Sequence, residues 1–138
     1  MHCVLPGVVR TFLHLWFDSK YHGESWYLGR QVEVVDKKPL AIKPPDYITS
    51  TPRSLKHRCH WKGSELRAWP LLYSFTTLYD SLPDVYLEHF VLLVDAVYLL
   101  LSESVSLEDI HISERLLLRF VYGVKNLYGE RFCSFHVH

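Results

Sequence analysis

Helical periodicity in the apolar residues, capping signatures at matching offsets and one proline-rich interruption predict a mainly α-helical chain. The expected architecture is an irregular helical bundle with an antiparallel helical hairpin, about 82–102 and 107–128, and a Pro-rich extended connector. Val8, Phe12, Leu15 and Trp16 recur at helical spacing, and Val9 and Leu13 fill a second face, so residues 6–17 read as a well-buried helix with Pro6 in its first turn. Asp18 to Ser25 is polar and turn-rich. A second helix is expected from Trp26 to about Ala41, with Leu28, Val32 and Val35 on one face and Pro39 disturbing its last turn.

The stretch Lys43 to His60 holds Pro44, Pro45 and Pro52 and a basic run through Arg53, Lys56, His57 and Arg58, which predicts an extended connector crossing the surface. From Ser64 to about Leu78, the pattern Leu66, Trp69, Leu72 and Tyr73 predicts a helix kinked or broken at Pro70. Ser81 with Pro83 and Asp84 is a capping signature ahead of the stripe Tyr86, Phe90, Leu93, Val94, Val97 and Leu101. Ser106 and Asp109 repeat the cap before Ile110, Leu117, Phe120, Val121, Val124 and Leu127, and Gly129 stands where a helix end favours glycine. The short turn between Ser102 and Ser106 leaves the two helices to pack as an antiparallel pair.

At 138 residues and 49% hydrophobic, the chain has the length of one domain and enough apolar surface for a core, which argues against intrinsic disorder. Fifteen Lys plus Arg against fifteen Asp plus Glu remove the broad positive field of an autonomous nucleic-acid binder. Residues 82–101 are not a membrane span: they include Asp84, Glu88, His89 and Asp95, whereas a span needs about 20 mostly apolar residues. Cys3, Cys59 and Cys133 are an odd number without a secretory signal, which predicts a reducing compartment, nucleus or cytosol. The opening MHCVLPGVVR runs straight into a helical pattern and the closing SFHVH has no polar tail, so both ends predict a fragment of a longer frame.

His57, Cys59 and His60, with Cys133, His136 and His138, are zinc-ligand types, but their spacing lacks two well-formed pairs, so no metal site is assigned. No GxSxG elbow, phosphate loop or HExxH helix occurs, which removes the usual nucleophilic, nucleotide and metalloprotease chemistries. Asp95 is the one acid expected to be partly buried, with a structural role favoured over a catalytic one. In HWKGSELRAW, the residues Trp61, Lys62, Glu65, Arg67 and Trp69 form a candidate binding cluster, since aromatics stack on bases and cations hold phosphates. The same tryptophans can instead close a helical core, the reading preferred for large apolar rings.

Six motifs, MHCVLPGVV, LWFDSKYH, IKPPDYITSTPRSL, WKGSELRAW, YLEHFVLLVDAVYLLL and FHVH, resemble in sequence and order a stretch of the transposases of CACTA (En/Spm-like) elements, across nearly the whole chain. The resemblance implies an RNase H-like nuclease ancestry in which three acids hold two divalent metals, Mg or Mn, and the second acid stands in a D-x-x-H signature. His2 matches that histidine as its catalytic-site residue, and the partner acid would fall before Met1. On this reading residues 1–18 are the edge of the nuclease core, residues 19–138 a helical insertion, and the third acid lies beyond His138. His136 departs from the asparagine common in relatives. The implied product is a transposase-derived fragment, nuclear or cytoplasmic, with no cofactor and no catalytic activity of its own, touching DNA in the intact protein. The competing expectation is a small helical protein-interaction module using Trp61 and Trp69 as contact surface.

Overall fold

The structure, a computed structural model, describes residues 4–38, 53–130 and 132. The described residues are mainly helical and include no strand, as the periodicity predicts. They divide into two compact units, 1–83 and 84–138.

The first unit is built on α1 (Val4–Phe17), α2 (Val32–Lys37), α3 (Gly63–Leu72) and α4 (Ser74–Leu78), with 3-10 turns at Ser19–Tyr21, Gly29–Gln31 and Leu55–His60 among the described residues. Both apolar faces of α1 are consumed: Val8, Val9, Phe12, Leu13, Leu15 and Trp16 are all buried. Trp16 lies 6.5 Å from Trp69 of α3, and Trp69 lies 6.2 Å from Trp61, so three indoles close the core. Full burial of such a ring stabilises by roughly 2–3 kcal/mol before cavity effects.

Three expectations are corrected in this unit. The second helix starts at Val32, not Trp26, because the preceding backbone is committed elsewhere: Leu28 N–H donates to Trp16 O at 2.6 Å and Tyr27 N–H to Glu24 O at 3.2 Å. Leu28 and Val35 are nonetheless buried as expected; residues from 39 on, where the helix was to end, lie outside the described residues. The connector is not extended throughout: Leu55–His60 is a 3-10 helix, entered through Ser54, whose hydroxyl accepts from Lys56 N–H at 3.1 Å. The prolines Pro44, Pro45 and Pro52 lie outside the described residues. The break expected at Pro70 falls at Tyr73 instead (φ −126°, ψ −20°), because α3 still closes Tyr73 N–H on Trp69 O and the Ser74 hydroxyl then takes the Pro70 carbonyl at 2.6 Å.

The second unit pairs α5 (Asp84–Leu100) with α6 (Leu107–Tyr128). Contacts run in antiparallel order, Tyr86 on Tyr128, His89 on Phe120 and Ser113 on Ala96. The α6 start is the capping box read in the sequence: Asp109 N–H donates to Ser106 Oγ at 3.0 Å, and Ser106 N–H donates to Asp109 Oδ2 at 3.1 Å. Gly129 ends it at φ 104°, a conformation a side chain would strain, with its N–H on Lys125 O. Ahead of α5, the Ser81 hydroxyl accepts from Lys38 Nζ at 2.7 Å. Leu101 and Ile110, placed on the buried stripes by periodicity, are exposed: Leu101 lies past the end of α5, and the line facing α5 runs through Ser113, Phe120, Val124 and Tyr128. Among the described residues no helix is long and apolar enough to cross a membrane.

Candidate functional site: a two-arginine groove

On α1, Arg10 and His14 stand four residues apart and Thr11 between them, on the part of the helix not taken by the core. The 3-10 helix Leu55–His60 lies alongside, and Arg10 joins them: Nη1 donates to Cys59 O at 3.2 Å and Nη2 to Trp61 O at 3.0 Å. Helix ends leave carbonyls unpaired, and a guanidinium reaching from a neighbouring helix satisfies these two. Arg58 is fixed as well, donating from Nη1 to Leu55 O at 3.0 Å with its guanidinium 5.8 Å over the Phe17 ring. Between these elements opens a groove of about 410 Å³ lined by Arg10, Thr11, Leu13, His14, Arg58 and Cys59.

Two guanidiniums and an imidazole line this groove without a lining carboxylate, so it is locally electropositive although the chain is neutral overall. Asp18 sits at its margin, with Oδ2 3.2 Å from His14 Nδ1. Other cations of the basic run are spent on acids. Arg53 grips Glu65 through two bonds of 2.7 and 2.8 Å, and Lys56 reaches Glu33 at 3.1 Å. Hydrogen bonding from Arg53 holds the Glu65 carboxyl below its usual range, and Lys56 does the same to Glu33. Arg10 and Arg58 donate to backbone carbonyls, Arg58 with its guanidinium also over the Phe17 ring, and their remaining N–H groups are of the kind that meets phosphate oxygens.

The chain matches no family model, no curated protein and no solved structure. The reading of the groove therefore stands on its own geometry.

The predicted site residues are distributed differently. Trp61 and Trp69 are 3% and 2% exposed, so both rings are taken up by the core and neither face is open to a base or a partner. Lys62 is exposed, Arg67 half-buried, and Glu65 serves structure, accepting from Lys62 N–H at 3.0 Å as well as from Arg53. His2 lies outside the described residues, as do Cys3, Cys133, His136 and His138. Asp95, expected to be partly buried, is exposed on α5.

The half-buried acid Asp36 accepts from Ser54 Oγ and from Leu55 N–H at 2.8 Å, and Glu65 is bound by Arg53. Among the described residues no three His, Cys, Asp or Glu side chains come together.

Reading the sequence missed two features. Arg10 and His14 were visible as a polar pair on an apolar helix, but Arg58 belongs to the same groove only through a contact that spans 49 residues at its neighbour Cys59. The second is His89, the ionisable side chain buried in α5, which no local pattern distinguishes from a surface histidine.

Proposed function

We propose that the chain is the helical insertion part of a transposase-derived protein, without strand-cutting activity of its own, and that the groove at Arg10 and Arg58 holds a nucleic-acid phosphate in the intact, nuclear protein. The observation that carries the DNA-facing part is the pair of backbone-anchored guanidiniums lining one groove. The order of six motifs along the chain supports the ancestry, and a helix-rich piece is what that ancestry implies for this region. Balanced charge limits the grip to a local one rather than an extended field. A contact surface built on Trp61 and Trp69 is not proposed, because both rings are buried.

Duplex DNA binding measured by anisotropy across a salt series tests the groove. Weak binding is expected, with a dissociation constant of about 10⁻⁴–10⁻⁶ M and a log–log salt slope of about −0.9 per phosphate contact. Arg10→Gln with Arg58→Gln should flatten that slope by roughly one contact or more. An unchanged slope overturns the groove assignment. The same preparation should neither nick nor join DNA with magnesium or manganese; metal-dependent cleavage abolished by His2→Ala would refute the non-cutting assignment.

A further inference from the structure

The groove at Arg10 and Arg58, at about 410 Å³, lies within the roughly 300–1,000 Å³ of sites that hold one small group. A surface that follows a nucleic-acid backbone is instead an extended positive stripe. The charges around this groove interrupt such a stripe. Of the basic run that leads into it, Arg53 is spent on Glu65 and Lys56 on Glu33, so Arg58 is the permanent charge of that run left to an anion. On the α1 side stands Asp18, whose Oδ2 lies 3.2 Å from His14 Nδ1 and whose Oδ1 accepts from Lys20 N–H at 2.8 Å, a carboxylate fixed at the margin that repels a further phosphate.

Within the groove, two guanidiniums meet no carboxylate among the described lining residues. Thr11 spends its hydroxyl proton on the Gly7 carbonyl at 2.9 Å, so the remaining N–H groups of Arg10 and Arg58, rather than this hydroxyl, are the donors for an anion. An internal phosphodiester brings one negative charge and continues into chain on both sides. A terminal phosphomonoester brings a charge of about −1.5 to −2 at pH 7, three strong acceptor oxygens and chain on one side only.

We propose that this groove takes the terminal phosphomonoester of a nucleic-acid strand in preference to an internal phosphodiester. The preference rests on the groove being a nucleic-acid phosphate site and adds which phosphate it holds. The two permanent cations match the charge of the end group, where a diester would leave one of them uncompensated. Binding is then one chain per phosphorylated end, not a row of chains along a strand.

Anisotropy on the full chain at fixed salt tests the preference with three short, internally labelled single strands of one sequence, bearing a 5′-phosphate, a 3′-phosphate or hydroxyls at both ends. At least one phosphorylated strand is expected to bind about tenfold tighter than the hydroxyl-ended one, and Arg10→Gln with Arg58→Gln should abolish the difference. Because Arg10 also holds the Cys59 and Trp61 carbonyls, its loss can disturb the fold, so a second measurement keeps the parent chain. Cys59 lines the groove with an exposed thiol. Its alkylation by iodoacetamide, followed at the Cys59 peptide by mass spectrometry, should be slowed by the phosphorylated strand at a concentration where the hydroxyl-ended strand leaves it unchanged. Equal binding of all three strands, with a salt slope that still falls in the double variant, overturns the preference and leaves the groove to internal phosphates; equal binding with an unchanged slope removes the phosphate reading of the groove as well. Tighter binding of a phosphorylated end that survives the double variant, or that leaves Cys59 unprotected, puts the end elsewhere and also overturns the proposal. A phosphoserine peptide of matched charge that binds as tightly overturns the choice of a nucleic-acid strand.

Discussion

The two units of this chain reach a packed state by different routes. The second is local: two long helices joined by a short turn, opened by a capping box and closed by a positive-φ glycine. The first is assembled from short pieces held by contacts distant in sequence: Trp16 on Trp69, Arg10 on the Cys59 and Trp61 carbonyls, Asp36 on Ser54 and Leu55. Local order is written into each stretch of chain, whereas distant order depends on a few large side chains meeting. Damage to one such side chain should therefore cost the first unit far more than any single surface change costs the second.

Trp69→Ala is the largest expected break. Trp69 touches both Trp16 and Trp61, and truncating a buried tryptophan costs about 3–5 kcal/mol, enough to unfold a marginal unit. Hydrogen exchange resolved by segment should show α1 and α3 losing protection while α5 and α6 keep theirs. Equal loss in all four helices would mean that the two units fold as one cooperative body and would remove the contrast drawn above.

The same difference explains what could be read from the sequence. Helices α1, α5 and α6 were legible because each carries a long apolar period, and the Ser106 cap and Gly129 end because their signals lie within a few residues of the effect. Trp26 and Leu28 misled because burial in a turn and burial on a helix give the same apolar spacing; the deciding bond, Leu28 N–H to Trp16 O, is not local. The groove was half legible. Arg10 and His14 fall on one face by helical periodicity, but nothing near Arg58 reveals that its neighbour Cys59 offers its carbonyl to Arg10. The tryptophans of WKGSELRAW were visible as exceptional residues, and the core, rather than a ligand, proved to be what they serve.

A smaller break separates the units from the other side. Gly123 of α6 faces His89 so closely that an added Cβ would lie 2.4 Å from Cδ2 and 2.7 Å from Nε2. The imidazole has little room to yield, being stacked on Phe120 at 4.6 Å and 7° with Nε2 hydrogen-bonded to the Phe120 carbonyl at 2.7 Å. Gly123→Ala gains about 1 kcal/mol of helix propensity, but overpacking costs about 1–3 kcal/mol. The expected net effect is a loss confined to α5 and α6, visible as faster hydrogen exchange in those helices alone. A rise in their protection would show that the ring moves aside freely and that the interlock is loose.

The smallest effect follows from the same imidazole and one proton. Burial lowers the His89 pKa from its ordinary 6.5, and the hydrogen bond to the Phe120 carbonyl opposes that shift without cancelling it. Since the folded value lies below the unfolded one, the unfolded state binds the proton more readily as pH falls through the range near 6.5. The contribution of His89 to stability is thus complete above its unfolded pKa, declines as pH drops below it, and levels off once pH passes the folded pKa. The rings facing it, Phe120 and Tyr128, offer no carboxylate to stabilise an imidazolium. Acidification should therefore loosen α5 and α6, and His89→Phe, which keeps a ring against Phe120, should remove the His89 component of that loosening. Exchange rates in the second unit compared between the parent chain and His89→Phe, each normalised for intrinsic exchange chemistry, give the readout. If both respond to acid identically, the pH sensitivity of the pair lies elsewhere and the buried imidazole acts only as a packing ring.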